Sequence, residues 1–222
     1  MPIITISRQI GSGGDEIGRA VAERLGLKCV DREVMEEAAR LANISEPRFM
    51  ELYEKKPGFF ERLSLIAKAE SYVQHIYNAM NSFAKEEGGV VILGRGAHLL
   101  IADGPEVLHV RIVAPFALRV ENVMETESLD GHTATERVVE SDQARAMFHR
   151  YLFDEDWDNP LLYDMVINTG TVAVSAAVEI ILNAVEQHRH DHPDLSHFPS
   201  RGEEDRFTPP FTFPYYGGWG HF

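Results

Sequence analysis

The chain has 222 residues, 44% of them hydrophobic, and a formal net charge of -14. That length holds one well-buried α/β domain with room for a small insertion, and nothing in it requires two large domains. The acidic balance argues against a surface that coats DNA or RNA, which needs many cations on one face. It leaves open a small anionic ligand gripped by a few converging arginines.

No apolar run approaches the roughly 18 residues of a membrane span, and MPIITIS at the amino terminus reads as a strand instead of a basic and then greasy signal segment. The expectation is a soluble cytoplasmic protein with no membrane partner. The single cysteine, Cys29 in LKCVD, excludes an intrachain disulfide and a cysteine-based zinc cage, and reads as a buried, inert thiol.

Ile3 to Ser7 form a first β-rich run, and Ile17, Val21 and Leu25 share one face of a helix that Gly26 stops. Leu27 to Asp31 give a second short apolar run before the helical EVMEEAARLA, and more helix is predicted from about Phe59 to Lys85. VVIL at 90–93 and VLHVRIV at 107–113 are rich in β-branched residues and bounded by Gly and Pro, so both read as buried strands. Pro115 suits the first turn of another helix. ETESLDGHT at 125–133 reads as a loop between charged helices, MVIN at 165–168 as a fifth strand, and about Val172 to Gln187 as the last helix. Alternating strands and helices predict a three-layer α/β fold whose five-stranded, mostly parallel sheet binds its ligand beyond the carboxyl ends of the strands.

Residues 188–222 change in character, becoming rich in His, Pro, Gly and aromatics without helical or strand period. They read as a flexible or docked tail on a 1–187 domain. Histidine content is compositional evidence only for a metal site, and PFTFPYYGGWGHF has the aromatic content to dock.

The segment ITISRQIGSGGDEIGRAVAERLG runs strand, glycine-rich turn, helix. Glycines at 11, 13 and 14 let the backbone turn tightly and aim N–H groups at an anion, and the helix amino terminus adds its positive end. A dinucleotide fingerprint fails, because Glu16 stands where the third glycine belongs. A Walker loop fits in two registers. The one that keeps its distance from the strand puts Arg8 at the first glycine, Gly13 at the second, Gly14 at the lysine and Asp15 at the magnesium-binding hydroxyl; the other puts Arg19 and Ala20 at the last two places. Arg8, at the mouth of the loop, can stand in for the missing lysine with a bidentate fork.

With VDREVM, VVILGRGAH, VLHVRIVAP, FALRVENVM and ESDQAR leading to DWDNPLLYDMVINTG, this segment resembles the cytidylate kinase-like family, relatives of the P-loop nucleoside monophosphate kinases, over about residues 3–187. The resemblance implies a P-loop NTPase-like fold with a helical lid at about 115–150, and ATP as phosphoryl donor with Mg²⁺. It implies that Gly11, Ser12, Gly13 and Gly14 wrap the donor phosphates, that Arg95 meets the acceptor, and that Arg119 and Arg145 serve in the lid with Asp142 as acidic partner. CMP or dCMP is the acceptor it suggests. Asp15, Glu16 and Asp31 are the carboxylates available to magnesium, with no choice among them.

Other readings of these residues stand beside those. Arg95 can occupy a plain turn, Arg119 and Arg145 can form surface ion pairs with acids such as Glu121 and Asp142, and Asp31 is favoured as a helix cap over a ligand contact. Trp157 and Tyr163 read as packing. Leu93 and Gly96 flank GRG where cytidylate kinases tend to carry acids, and Arg32 and Glu33 replace the small and hydroxyl residues that follow the aspartate there. These departures leave a non-catalytic nucleotide-binding module, or a different phosphorylatable small molecule, as alternatives.

Overall fold

The computed structural model describes residues 2–43, 73–85, 88–104 and 106–190. Most of the tail, and the 59–72 part of the helix predicted from Phe59, lie outside the described residues. In chain order the elements are β1 (Ile3–Arg8), α1 (Gly14–Leu25), β2 (Lys28–Val30) and α2 (Arg32–Ala42), then α3 at residues 73–84. There follow β3 (Val90–Leu93), α4 (Ala97–Leu100), β4 (Val107–Val113), α5 (Phe116–Glu127), α6 (Gly131–Phe153), β5 (Met165–Asn168) and α7 (Val174–His190).

All strand pairs are parallel, in the order β2-β3-β1-β4-β5. A parallel sheet is buried on both faces, which is why β3 reads as an unbroken apolar run. Its Val90 and Ile92 face one core with α2 and α3, while Val91 and Leu93 face the other with α1 and α7. The helix layers on each face make the three-layer α/β arrangement expected from the alternation of elements. Full burial of Ile4, Ile6, Ile17 and Ile92 stabilises the fold by about 1.5–3 kcal/mol each relative to exposure.

The predicted boundaries shift most in two elements. The loop expected over 125–133 shrinks to three residues, because α5 runs through Glu127 and Asp130 caps α6, accepting from the backbone N–H groups of His132 and Thr133. The last helix begins at Val174 and runs to His190, past the expected tail boundary. Cys29 is only half-buried, yet burial pushes its thiol up to about 11, so it stays protonated and inert at neutral pH. Among the described residues no helix is long and apolar enough to cross a membrane.

The helices α5 and α6 pack against each other through Val123, Ala134 and Val138, with Ile10 of the loop after β1 against that small core. The segment expected to form a lid is therefore seated directly on the glycine-rich loop. The sheet order also brings the carboxyl ends of β2, β3 and β1 side by side, although β3 follows β2 by some sixty residues in the chain. In a sheet of this kind such a place, where successive connections leave to opposite sides, is where ligands bind.

Candidate active site

The loop between β1 and α1 is shaped by what lies against it. Gly11 has φ +74°, and a Cβ there would come within 2.4 Å of the Arg119 carbonyl oxygen, so only glycine allows α5 this close. Asn122 donates to the Gly11 carbonyl at 2.8 Å, Thr169 to that of Ser12 at 2.8 Å, and the Ser12 hydroxyl to the Gln9 carbonyl at 2.7 Å. Gln9 in turn accepts from the Ala114 N–H at 3.1 Å. The loop is thus tied to β4, α5 and the turn after β5. Its helix begins at Gly14 behind Gly13, which has no side chain to cap it, so no side-chain group covers the first-turn N–H donors of α1. Those donors and the helix dipole suit an anion.

Arg8 leaves the end of β1 and crosses this first turn. A Cβ on Gly14 would lie 2.5 Å from the Arg8 Cβ and 2.9 Å from its Cγ, so a bare residue at 14 is what lets the arginine pass. Its guanidinium donates through Nε to Asp15 at 2.7 Å and through Nη2 to Asp31 at 2.9 Å. Asp31 also pairs with Arg95 at 3.0 Å. Asp15, Arg8, Asp31 and Arg95 therefore form one run of alternating charge across the ends of β1, β2 and β3. Burial pushes the Asp15 carboxyl up, but the charge and hydrogen bond of Arg8, with Arg145 and Arg19 farther off, outweigh it and hold the group below the usual range.

One reading is corrected here and one alternative is set aside. Asp31 stands at the position before α2 but makes no side-chain cap; its carboxylate turns toward the two arginines, because a carboxylate gains more from two buried guanidinium groups than from exposed helix N–H donors. Arg95 does not occupy an exposed turn. It is 2% exposed and has φ +59° between two further left-handed residues, Gly94 and Gly96. A buried cation held in that conformation costs free energy that the Asp31 pair offsets.

Arg119 is buried as well, not a surface residue. Its Nε donates to the Ala114 carbonyl and its two Nη atoms grip Asp142 bidentately at 2.9 and 2.8 Å, joining α5 to α6. Arg145, half-buried on α6, donates to the Ser141 hydroxyl at 2.6 Å, and its positive charge is felt at Asp15. Glu16 is exposed on the first turn of α1. Trp157 and Tyr163 are buried, as their packing reading required.

The family model for the cytidylate kinase-like family matches residues 3–171. The chain belongs to that family. A cytidylate kinase from Archaeoglobus fulgidus is 28% identical over 184 residues, spanning 82% of this chain and 94% of its own. One from Methanothermobacter thermautotrophicus is 28% identical over 177 residues, spanning 79% and 99%. An uncharacterised protein from Eubacterium ventriosum shares the fold with TM-score 0.63 and 24% identity over 84% of this chain and 99% of its own. A sugar kinase from Janibacter sp. HTCC2649 does so with TM-score 0.52 and 14% identity, over 84% and 95%. This member of the cytidylate kinase-like family is a kinase-type phosphotransferase of the nucleoside monophosphate kinase kind.

Several residues that shape the site in this cytidylate kinase-like chain escape a reading of its sequence. Asn122 and Thr169 hold the loop by donating to its backbone carbonyls and Gln9 by accepting from the Ala114 N–H, roles any small polar residue in a loop can take and no motif announces. Ser7 is buried under Trp157, whose indole N–H donates to it at 2.9 Å across 150 residues of sequence. The one available signal was a serine inside the apolar run of a central strand, since a buried hydroxyl needs a partner.

Proposed function

We propose that the protein transfers the γ-phosphoryl group of ATP to a nucleoside monophosphate, with CMP or dCMP the acceptor. The observation that carries this reading is the passage of Arg8 over Gly14. The arginine brings a guanidinium to the mouth of the glycine-rich loop from the strand end, in the place of the side chain that residue 14 lacks.

In this reading the uncapped first turn of α1, with Gly11, Ser12, Gly13 and Gly14, holds the donor phosphates, and Arg8 forks onto their outer oxygens. Arg95, across Asp31, takes the acceptor's phosphate. An oxygen of that phosphate forms the new P–O bond as the bond to the departing ADP breaks, and the charge spread over the transferred group is met by Arg8 and Arg145. Arg119 and Asp142 hold the two lid helices in register on the loop. Arg8 and Arg95 each leave or share a carboxylate to meet a phosphate, which makes anion binding there an exchange of ion-pair partners.

Among the described residues no group of three or more His, Cys, Asp or Glu can hold a metal ion. The carboxylates present suit Mg²⁺ only as one or two ligands completed by nucleotide phosphates and water, and Asp15 and Asp31 are the residues that would supply them. When bound, the ion would neutralise phosphate charge. Everything else falls to the chain's own arginines and N–H groups.

The test is transfer from ATP with magnesium to a panel of nucleoside monophosphates, resolved by nucleotide chromatography, with Arg8→Ala and Arg95→Ala as paired variants. Transfer to CMP or dCMP, lost in both variants, is the expected outcome. Transfer in Arg8→Ala at the parent rate would overturn the role given to that residue. No transfer to any monophosphate while ATP still binds would overturn the proposed reaction in favour of another acceptor or a binding module.

A further inference from the structure

Trp157 lies outside every role assigned so far, yet it joins the lid to the strand that carries Arg8. It is 3% exposed. Its indole N–H donates to Ser7, the residue before Arg8, at 2.9 Å. Its carbonyl accepts from Arg111 at 2.7 Å and from the Tyr163 hydroxyl at 3.0 Å, while the Arg111 guanidinium lies 4.1 Å from the ring centroid. These contacts fix the indole in position and orientation. Two groups of the lid helix α6 then rest on it, with the Arg145 guanidinium carbon 6.0 Å from the ring centroid and the His149 ring stacked at 5.9 Å.

Arg145 has little else to fix it. One hydrogen bond, to Ser141 one turn back on its own helix, is the only one its guanidinium makes among the described residues, and its Nε is buried without a hydrogen-bond partner. A guanidinium so placed gains from an aromatic face, and more as water is excluded. Arg119 offers the contrast, since all three of its nitrogens are held by hydrogen bonds. Of these two lid arginines, Arg145 has both the freedom and the platform to turn toward a ligand at the loop, where its charge already reaches Asp15.

We propose that Trp157 is a positioning residue that carries Arg145 on its ring and, through the Ser7 hydrogen bond, fixes that arginine's place relative to Arg8. This rests on the phosphotransferase reading for its catalytic consequence, but the linkage itself is a property of binding. Core packing alone would give Trp157 no dependence on Arg145, and the experiment turns on that difference.

The chain has two tryptophans, so replacing Trp219 with phenylalanine leaves Trp157 as the sole indole of the 222-residue chain. Titration with MgATP is expected to change its emission, and the added Arg145→Ala substitution to abolish that change while calorimetry still detects ATP. An equal response with and without Arg145, or none on confirmed binding, overturns the proposal. In turnover, Trp157→Leu is expected to lower kcat by about tenfold with the KM for ATP little changed, the scale of a desolvated cation–π contact. Combined with Arg145→Ala it should cause no further loss, whereas losses that multiply mark a packing role and overturn the proposal. Should the leucine variant fail to fold, Trp157→Phe keeps a ring but not the Ser7 bond; a several-fold lower kcat is expected and a parental one refutes the tether. A parent that binds ATP and shows the Arg145-dependent emission change, yet transfers to no nucleoside monophosphate, refutes the proposed reaction and supports the linkage.

Discussion

His149 ties the stability of this fold to pH. It is 2% exposed, and its Nδ1 lies 2.7 Å from the Arg145 carbonyl, which can only accept, so the ring's proton sits on Nδ1 and Nε2 is a bare, buried lone pair. Burial pushes its pKa down; the hydrogen bond to Arg145 opposes this, and the charges of Arg111 and Arg145 add to it, leaving the group at about 4 against an ordinary 6.5. Between those values the unfolded chain carries a proton that the folded one refuses, so acid favours unfolding. The contribution is present in full above pH 6.5, falls as pH drops toward 4, and amounts to about 3 kcal/mol in all and about 2 kcal/mol between pH 7 and pH 5. His98, stacked on it at 5.2 Å and held well below its ordinary pKa, mainly by burial, adds a loss of the same sign. The variant to compare is therefore His149→Phe, which keeps a ring between Phe148, Phe153 and Trp157 and removes one proton from the balance. Urea unfolding followed by circular dichroism at pH 7 and pH 5 should show the parent losing about 2 kcal/mol more than the variant. Equal losses in the two proteins would refute the assignment of a neutral, buried His149.

Gly14→Ala places a methyl group on the Arg8 side chain next to its backbone, where it cannot swing away, and is expected to cost about 1–3 kcal/mol of stability and most of the transfer activity; thermal melting and the chromatographic assay check both. Asp142→Asn leaves the buried Arg119 charge uncompensated and should destabilise by about 3 kcal/mol in urea titration, while the paired change Arg119→Met with Asp142→Leu recovers part of that loss. With its thiol pushed up to about 11 from an ordinary 9.0, Cys29 should react with a disulfide reagent at pH 8 about a hundredfold more slowly in the folded protein than in urea.

The sheet was legible because a two-sided strand leaves an apolar run that cannot be mistaken for a surface, as VVIL shows, and because VLHVRIV is rich in β-branched residues. The glycine-rich loop was legible because its position after the first strand and before an amphipathic helix constrains what it can be. Asp31 was not. An acid before a helix looks the same whether it caps that helix or faces a site, and only the sheet order, with β3 inserted between β1 and β2, reveals that two arginines wait beside it. The burial of Arg119 was hidden for a related reason. Its partner lies 23 residues on, across a connection that the sequence made look longer than it is, and a charged helix facing its neighbour has the same composition as one facing water.

The missing lysine and the glycine at position 14 are one feature, not two. An arginine that starts at the end of β1 and reaches the loop mouth must cross the first turn of α1, and any Cβ on residue 14 stands 2.5 Å from its own. A lysine at 14 and an arginine at 8 in this conformation exclude each other by volume. The exchange changes the chemistry as well as the address. A lysine offers a compact ammonium on a flexible stem, whereas the planar fork of Arg8 is held by Asp15 and Asp31, with its direction already set. A phosphate that takes the Nε and Nη2 of Arg8 must displace those carboxylates, so affinity there is sacrificed to orientation. Asp31 also lies beside a cation that remains, Arg95, and is not left bare when Arg8 turns away, while Asp15 feels only the more distant charge of Arg145. Arg95, which would meet the acceptor in the proposed reaction, is thereby also the cation that keeps a carboxylate Arg8 releases.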